Sequence, residues 1–138
     1  MRWPALLPLL IANQNIVAQE WTPIQTGAPN IQFAIDFSSI ERENDLVIFK
    51  ERIIYSTADK IDPASGMAIK EKLVRRVMDC ERKTQGMLSG SMRNESGVLI
   101  EMVTFDRSQL VMAPIPPETL AEHELELVCQ KTKTPPAK

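Results

Sequence analysis

Two cysteines, Cys80 in "VMDCERK" and Cys129 in "LELVCQ", constrain the fold of this chain more than any other feature. A bond between them would tie the middle of the chain to its C-terminal part, and two cysteines allow a single intramolecular pairing. In the chain-entropy model, closing so long a loop stabilises the folded state by about 4 kcal/mol. The alternative is two buried, unpaired thiols, which is the usual state in a reducing compartment.

Residues 1–18 have the order of charge and apolar residues that is typical of a secretory signal peptide. Arg2 is positively charged, residues 4–12 form an apolar run, and small or polar residues continue to Ala18. The run is shorter than the ~20 apolar residues that a membrane span needs, and no later segment is apolar enough to form one. The alternative is a core strand, which the two prolines disfavour. We expect cleavage after Ala18 and export to an oxidising compartment, the bacterial periplasm or cell surface, which favours the disulfide.

The composition indicates one packed domain. Of the 138 residues, 43% are hydrophobic and 25% are charged, and the formal net charge is −2, which gives no reason to expect nucleic-acid binding. Two distant cysteines and one histidine do not make a tetrahedral metal site, so no metal or other cofactor is expected. We predict a single domain at 19–130 and a polar, flexible tail at 131–138.

The first half of the domain has the pattern of strands. Residues 19–30 mix tryptophan, proline and glycine and indicate a loose lead-in. Residues 31–37 alternate apolar and polar side chains with a period of two, which predicts a half-buried strand. Residues 38–45 are polar and are expected to form a turn, and residues 46–56 are rich in branched and aromatic residues, as in a long strand. Residues 57–67 are expected to form a loop.

Residues 68–83 fit two interpretations almost equally well. A helix would align Leu73 with Val77, whereas a strand would align Val74 with Met78. Residues 85–92 and 98–105 are predicted to be the two strands of a hairpin around the turn "RNESG". A last short strand is expected near residues 110–112.

The end of the domain is predicted to be helical. After "PIPP", Leu125 and Val128 lie on one helical face, and Thr119 with Glu122 forms a possible capping box. Lys131 and Lys133 are placed to interact favourably with the C-terminal end of the helix. A strand alternation competes with this pattern, but we favour the helix. The sequence thus predicts an α+β domain, an antiparallel meander sheet with a C-terminal helix packed on it and tied by one disulfide.

The mature chain resembles the bacterial surface-adhesin protein E family. The resemblance rests on "IDFSSIERENDLVIFKERIIYS", the "DCERK" cysteine and the closing helix with "VC". The residues that carry it best are Asp36, Ser39, Ile40, Arg42, Asp79, Cys80 and Cys129. It implies a sheet of about six antiparallel strands with one helix, and therefore a strand at 68–83. It also implies a non-enzymatic role as a surface adhesin that binds an extracellular or envelope protein.

Catalysis is not expected. His123 is the one histidine, and it lies among glutamates on the predicted helix, where it would be solvated. Ser38 or Ser39 with Asp36 would be needed for a Ser-His-Asp arrangement, but no G-x-S-x-G turn accompanies them. We interpret the serines as turn residues.

Charge patterning suggests a partner site. Six basic residues form the candidate partner-binding set: Lys70, Lys72, Arg75, Arg76, Arg82 and Lys83. The helix segment 118–126 holds four glutamates, so one interpretation is mutual screening within the domain. The other is a basic ridge that binds an acidic partner such as a host extracellular matrix protein or a sulfated glycan.

Two further functions stay open at this stage. One is a periplasmic accessory protein with no host partner. The other is a carrier of a small apolar ligand such as haem, because six methionines follow the predicted signal peptide. Core filling is the favoured interpretation of these methionines.

Overall fold

The structure, a computed structural model, describes residues 20–57 and 60–132. The predicted signal peptide at 1–18 and residues 133–138 of the predicted tail lie outside this part of the chain. The elements are the strands β1 (Trp21–Ile24), β2 (Ile31–Glu43), β3 (Leu46–Tyr55), β4 (Glu71–Asp79), β5 (Thr84–Arg93), β6 (Leu99–Thr104) and β7 (Ala113–Pro114), a 3-10 turn at Arg107–Gln109, and the helix α1 (Leu120–Thr132).

The sheet is an antiparallel meander. Strands β1 to β6 lie side by side in chain order, each antiparallel to the next, and β7 pairs with β5. The predicted α+β fold of about six strands with a C-terminal helix and a disulfide is therefore confirmed. A strand in the middle of this sheet makes hydrogen bonds to neighbours on both sides, and β4 is such a strand, between β3 and β5.

One face of the sheet, which we call the helix face, is covered by α1. Its core consists of buried side chains from the strands and from α1, namely Ile35, Val47, Phe49, Met78, Leu125 and Val128. Each large apolar side chain buried in this way stabilises the fold by roughly 1.5–3 kcal/mol. The predicted apolar face of the C-terminal helix is the face that packs here.

The disulfide joins α1 to the end of β4. Cys80 is the first residue after β4 and bonds Cys129, with 5.9 Å between the two Cα atoms. The turn around Cys80 is fixed by Asp79, whose Oδ1 accepts hydrogen bonds from the backbone N–H groups of Glu81 and Arg82. Lys83 completes the turn at a positive φ of 55°. The bond therefore leaves a tight, well-anchored turn and holds the helix against the core.

The opposite face, the far face, is covered at one end by residues 105–112. Leu110 and Met112 pack there on a second cluster of buried side chains, Ile48, Val77 and Leu88. The segment crosses close to β5 at Gly86, where an added Cβ would meet the Leu110 Cδ1 atom at 2.9 Å. Both faces of β4 are thus covered at this end, so the adjacent residues Val77 and Met78 are both buried. This double burial is why residues 68–83 showed no clear alternation.

An ion pair fixes the crossing segment to the sheet. The Arg107 guanidinium donates to both carboxylate oxygens of Glu43, at 2.9 and 2.8 Å. The hydrogen bonds from Arg107 lower the pKa of Glu43 below its usual value. The prediction of a short strand near residues 110–112 was wrong, because this stretch crosses the face of the sheet. The edge pairing that does form is β7, at residues 113–114.

Two further boundaries differ from the sequence prediction. The lead-in at 19–30 contains an edge strand, β1, whose Trp21 is the register partner of Asp36. Residues 38–43, predicted as part of a turn, belong to β2, with a register shift between Asp36 and Glu41. Polar side chains make this irregularity possible, because the Ser39 hydroxyl accepts the Lys50 backbone N–H at 2.9 Å, in place of a ladder hydrogen bond. The turn itself is short and places Asn44 at a φ of 58°.

The start of α1 follows the predicted capping pattern in part. The Thr119 hydroxyl accepts the Glu122 backbone N–H at 3.3 Å, as expected for an N-cap residue. The Glu122 carboxylate accepts from the backbone N–H of Glu118, at 3.2 Å. The helix continues to Thr132, and the side chain of Lys131 and all of Lys133 lie outside what the structure describes. Within the described ranges, no helix is long and apolar enough to cross a membrane.

Candidate functional site

The candidate partner-binding set does not form one ridge. Because side chains of a strand alternate between faces, Lys72 and Arg76 lie on the helix face while Arg75 lies on the far face. Arg82 and Lys83 are exposed in the turn after β4. From Lys72 to the end of β4 at Asp79 the chain advances roughly 23 Å at about 3.3 Å per residue, and the turn that carries Arg82 follows. The predicted cations are therefore distributed over two faces and two ends of the sheet.

Four of these cations have partners inside the domain, three of them near the surface and one, Arg76, in a buried cluster. Arg75 pairs with Glu41 at 3.2 Å on the surface, and Lys70 donates to the Ser56 backbone oxygen at 3.2 Å. The Lys72 ammonium lies 5.9 Å from the centre of the Tyr55 ring, where the Lys60 ammonium also lies at 5.9 Å. A basic patch around Tyr55 results at the loop end of β3. The sequence pattern did not indicate it, because Lys60 and Tyr55 lie outside the basic run.

Arg76 belongs to a buried charge cluster with Glu51 and Glu124. Its Nη2 atom donates to Glu51 Oε1 at 2.8 Å, and its Nη1 atom donates to Gln85 at 3.3 Å. Glu51 is 2% exposed and Glu124 is 1% exposed, so two acidic side chains are enclosed between α1 and the sheet. Neither Glu124 carboxyl oxygen has a hydrogen-bond partner within residues 20–57 and 60–132.

The protonation of Glu124 follows from this environment. Burial raises its pKa, the neighbouring Glu51 raises it further, and the opposing attraction of Arg76 is smaller, so that the pKa of Glu124 is about 9. At neutral pH Glu124 is thus a neutral carboxylic acid beside the Glu51–Arg76 ion pair. This protonation could not be predicted from the sequence, because Glu124 stands in a run of glutamates that is typical of a solvated helix face. Among the residues that the structure describes, no ion pair joins a glutamate of α1 to a cation of β4.

The serines near Asp36 form hydrogen bonds within β2. The Asp36 carboxylate accepts hydrogen bonds from the backbone N–H and the hydroxyl of Ser38, and the Ser39 hydroxyl donates to the Asp36 backbone oxygen at 2.6 Å. His123 is exposed on α1, where it borders a small cleft together with Gln25. The structure therefore does not bring His123 to these serines. In the described part of the chain, no group of three or more His, Cys, Asp or Glu side chains is placed to hold a metal ion.

A row of polar side chains crosses the far face beyond the segment 105–112. Register partners on successive strands form this row, Trp21, Asp36, Lys50, Arg75, Ser89 and Thr104. Part of it lines an open groove of about 240 Å³, which we call the far-face groove and define by Trp21, Lys50, Arg75, Ser89, Ser91 and Thr104. Leu73 and Met102 add apolar surface to it. The groove thus combines an aromatic ring, two cations and three hydroxyl groups.

The charged groups around the far-face groove differ in whether they have a partner within the described part of the domain. The Arg52 guanidinium stacks 4.8 Å from the Trp21 ring centre, and Arg75 is held by Glu41. Lys50 is exposed, and its ammonium has no ion-pair partner among the residues that the structure describes. Asp36, the acidic member of the row, is 2% exposed, and its carboxylate accepts a hydrogen bond from the Ser38 backbone N–H.

A second groove, of about 210 Å³, lies on the part of the helix face that α1 leaves open. It is mainly apolar and is lined by Val74, Met87, Met92 and Val103, with Lys72 and Glu101 at its border. Two of the six methionines therefore face this groove, whereas Met78 is fully buried in the core. Core filling describes only some of the methionines.

Known proteins place this chain in a family. The family model described as surface-adhesin protein E matches residues 21–130, so the chain belongs to the surface-adhesin protein E family. The resemblance seen in the sequence is confirmed by this match. No curated protein sequence matches the chain.

Solved structures with a similar fold include those of protein E from Haemophilus influenzae. One crystal form is 12% identical in sequence, with a TM-score of 0.52 over 71% of this chain and 80% of the other. Protein E from a non-typeable strain of the same species is also 12% identical, with a TM-score of 0.51 over 81% of this chain and 85% of the other. At this identity the likeness concerns the fold.

Proposed function

We propose that this protein is an exported, non-enzymatic adhesin-like domain that acts by binding an extracellular or envelope partner through its surface. The observation that carries the proposal is membership of the surface-adhesin protein E family over residues 21–130. The disulfide between Cys80 and Cys129 supports export, because such bonds persist in oxidising compartments. The signal-like residues 1–18 point to the same compartment.

The partner-binding surface is proposed to be cationic, but to be divided differently from the ridge that the sequence suggested. The patch of Lys60, Lys70 and Lys72 around Tyr55 is one part, and the far-face groove with Lys50 is another. Both would attract an acidic matrix protein or a sulfated glycan, and such binding weakens as salt rises. Arg76 is not part of this surface, because it is engaged with buried Glu51.

Two experiments test the proposal. Protease treatment of intact cells of the organism that produces the protein should remove it if it is displayed at the surface. A periplasmic accessory protein would stay protected until the outer membrane is opened. In parallel, the purified, disulfide-bonded protein should bind immobilised matrix or heparin in a salt-sensitive manner. Reversing Lys70 and Lys72 to glutamate should weaken heparin binding, and reversing Arg82, which lies far from the patch, is the matched control. Protection from protease together with no matrix binding would refute an adhesin role.

A second candidate function, carriage of a small apolar ligand, is favoured by the open apolar groove beside Met87 and Met92. Adding haem to the purified protein and recording its visible spectrum tests this function. A shifted absorption band that Met87→Ala and Met92→Ala abolish would support it, and an unchanged spectrum of free haem would contradict it.

A further inference from the structure

We propose that the far-face groove is a binding site for a carboxylated sugar residue of an extracellular glycan. The inference rests on the proposed function, since it names the class of partner that the surface would recognise. It starts from the row of register partners that crosses the sheet and from the open groove of about 240 Å³ that this row lines. A space of this size suits one sugar ring and its substituents better than a folded protein segment.

The charge of the groove selects an anion. The Lys50 ammonium is exposed and has no ion-pair partner in the described ranges, and Arg75 next to it is 41% exposed and bound to Glu41, which is 67% exposed. A surface pair of this kind contributes little and exchanges readily. A ligand carboxylate at this position therefore gains one free cation and one weakly held cation. The Asp36 carboxylate, the register partner of Lys50, is buried and accepts from Ser38, so that Lys50 and Arg75 are the charged groups of the row that a ligand can reach.

The hydroxyl groups of the groove select a sugar over other anions. Ser89, Ser91 and Thr104 lie beside the cations, and within residues 20–57 and 60–132 none of their hydroxyls has a hydrogen-bond partner. A hydroxyl both donates and accepts, so three of them in one groove match the hydroxyl pattern of a sugar ring. An acidic peptide would offer these hydroxyls backbone N–H and C=O groups spaced along a chain, whereas a sugar presents its hydroxyl groups around one ring.

The remaining walls of the groove are apolar and rigid. Trp21 lies at one end, with its ring orientation held by Arg52, while Leu73 and Met102 supply apolar surface along the groove. An aromatic ring and apolar side chains pack against the C–H face of a sugar while its hydroxyls bond elsewhere. Every wall except Trp21 stands on β3 to β6, so that the site needs no rearrangement of the fold.

The test compares two sugars that differ in one group. Methyl β-glucuronide carries a carboxylate where methyl β-glucoside carries a hydroxymethyl group, and their binding to the purified, disulfide-bonded protein is measured by calorimetry and by NMR shifts of groove residues. We expect the glucuronide to bind and the glucoside to bind at least about tenfold more weakly, as for loss of a hydrogen bond to a charged group. Lys50→Met should cost a similar factor, and Ser89→Ala about threefold.

Arg93→Met is the matched control, because it removes a cation that donates to the Gly97 backbone oxygen outside the groove, and it should leave glucuronide binding unchanged. Glucuronide binding that survives Lys50→Met, or equal binding of the two sugars, would overturn the site. A poly-glutamate peptide that binds more tightly than the glucuronide in a Lys50-dependent manner would also overturn it in favour of an acidic peptide. If surface display and matrix binding hold while the glucuronide fails to bind, the inference falls and the proposed function stands. If the glucuronide binds but the protein is protected from protease and binds no matrix, the site stands and the proposed adhesin role falls.

Discussion

The buried acid Glu124 gives this fold a stability that depends on pH in a predictable direction. In the unfolded chain its pKa is near 4.5, whereas in the folded protein burial and the neighbouring Glu51 raise the pKa to about 9. The folded state therefore binds one more proton than the unfolded state between these values. The stability that this proton contributes is present in full below about pH 4.5 and is lost progressively as the pH rises to about 9.

The size of this effect at pH 7 follows from the pKa of Glu124 in the unfolded chain. Each pH unit above 4.5 costs about 1.4 kcal/mol, so that keeping Glu124 protonated costs about 3 kcal/mol of folding free energy at pH 7. Glu124→Gln has nearly the same shape and is neutral at every pH, so it removes this cost. We expect the variant to match the wild type near pH 4.5 and to be more stable by up to about 3 kcal/mol at pH 7.

Urea denaturation of both proteins across about pH 5 to 8 measures the effect, because the difference between them cancels the other titrating groups. Glu126→Gln is the matched control on an exposed position of α1, and it should stay within about 0.5 kcal/mol of the wild type at each pH. A difference between Glu124→Gln and wild type that does not grow with pH would refute the assigned protonation of Glu124.

Three further predictions concern stability, and each is measured by urea denaturation. Replacing both cysteines by serine should lower the free energy of unfolding by about 4 kcal/mol, and adding a reductant to the variant should then have no further effect. Arg76→Met should cost about 3–5 kcal/mol because it leaves buried Glu51 unpaired, and adding Glu51→Gln should restore part of the loss; no restoration would argue against the ion pair. Gly86→Ala should cost about 1–3 kcal/mol, since the new Cβ meets Leu110, whereas Gly97→Ala, at a φ of 82° with open space around it, should be destabilising through backbone strain alone.

The strands and the helix could be predicted from the sequence where the large apolar side chains of an element lie on one face. Residues 31–37 alternate because one face of β2 packs under α1, and the C-terminal helix shows its apolar face at Leu125 and Val128. The prediction was undecided at β4 because both of its faces are covered there. It was wrong at 38–43, since the serines form hydrogen bonds within a strand as well as in turns.

The candidate site was harder to predict because its residues meet through pairing between strands. The cations of 70–83 are neighbours in the chain, but alternation sends Arg75 and Arg76 to opposite faces. Lys50 and Ser89 meet Arg75 only through the register of β3, β4 and β5. Glu124 was missed because burial of an acid depends on what lies opposite it, and a single sequence does not contain that information.

The meander order also determines how the chain can assemble. Because every strand from β1 to β6 pairs with the strand that precedes it, each one can add to an existing edge as soon as it leaves the ribosome or a translocation channel. Cys129 follows every strand of the sheet in the chain, so that its oxidation can come after the strands have paired. A disulfide isomerase would have no incorrect pairing to correct here, since only one intramolecular pairing is available and the partner cysteine is already in place.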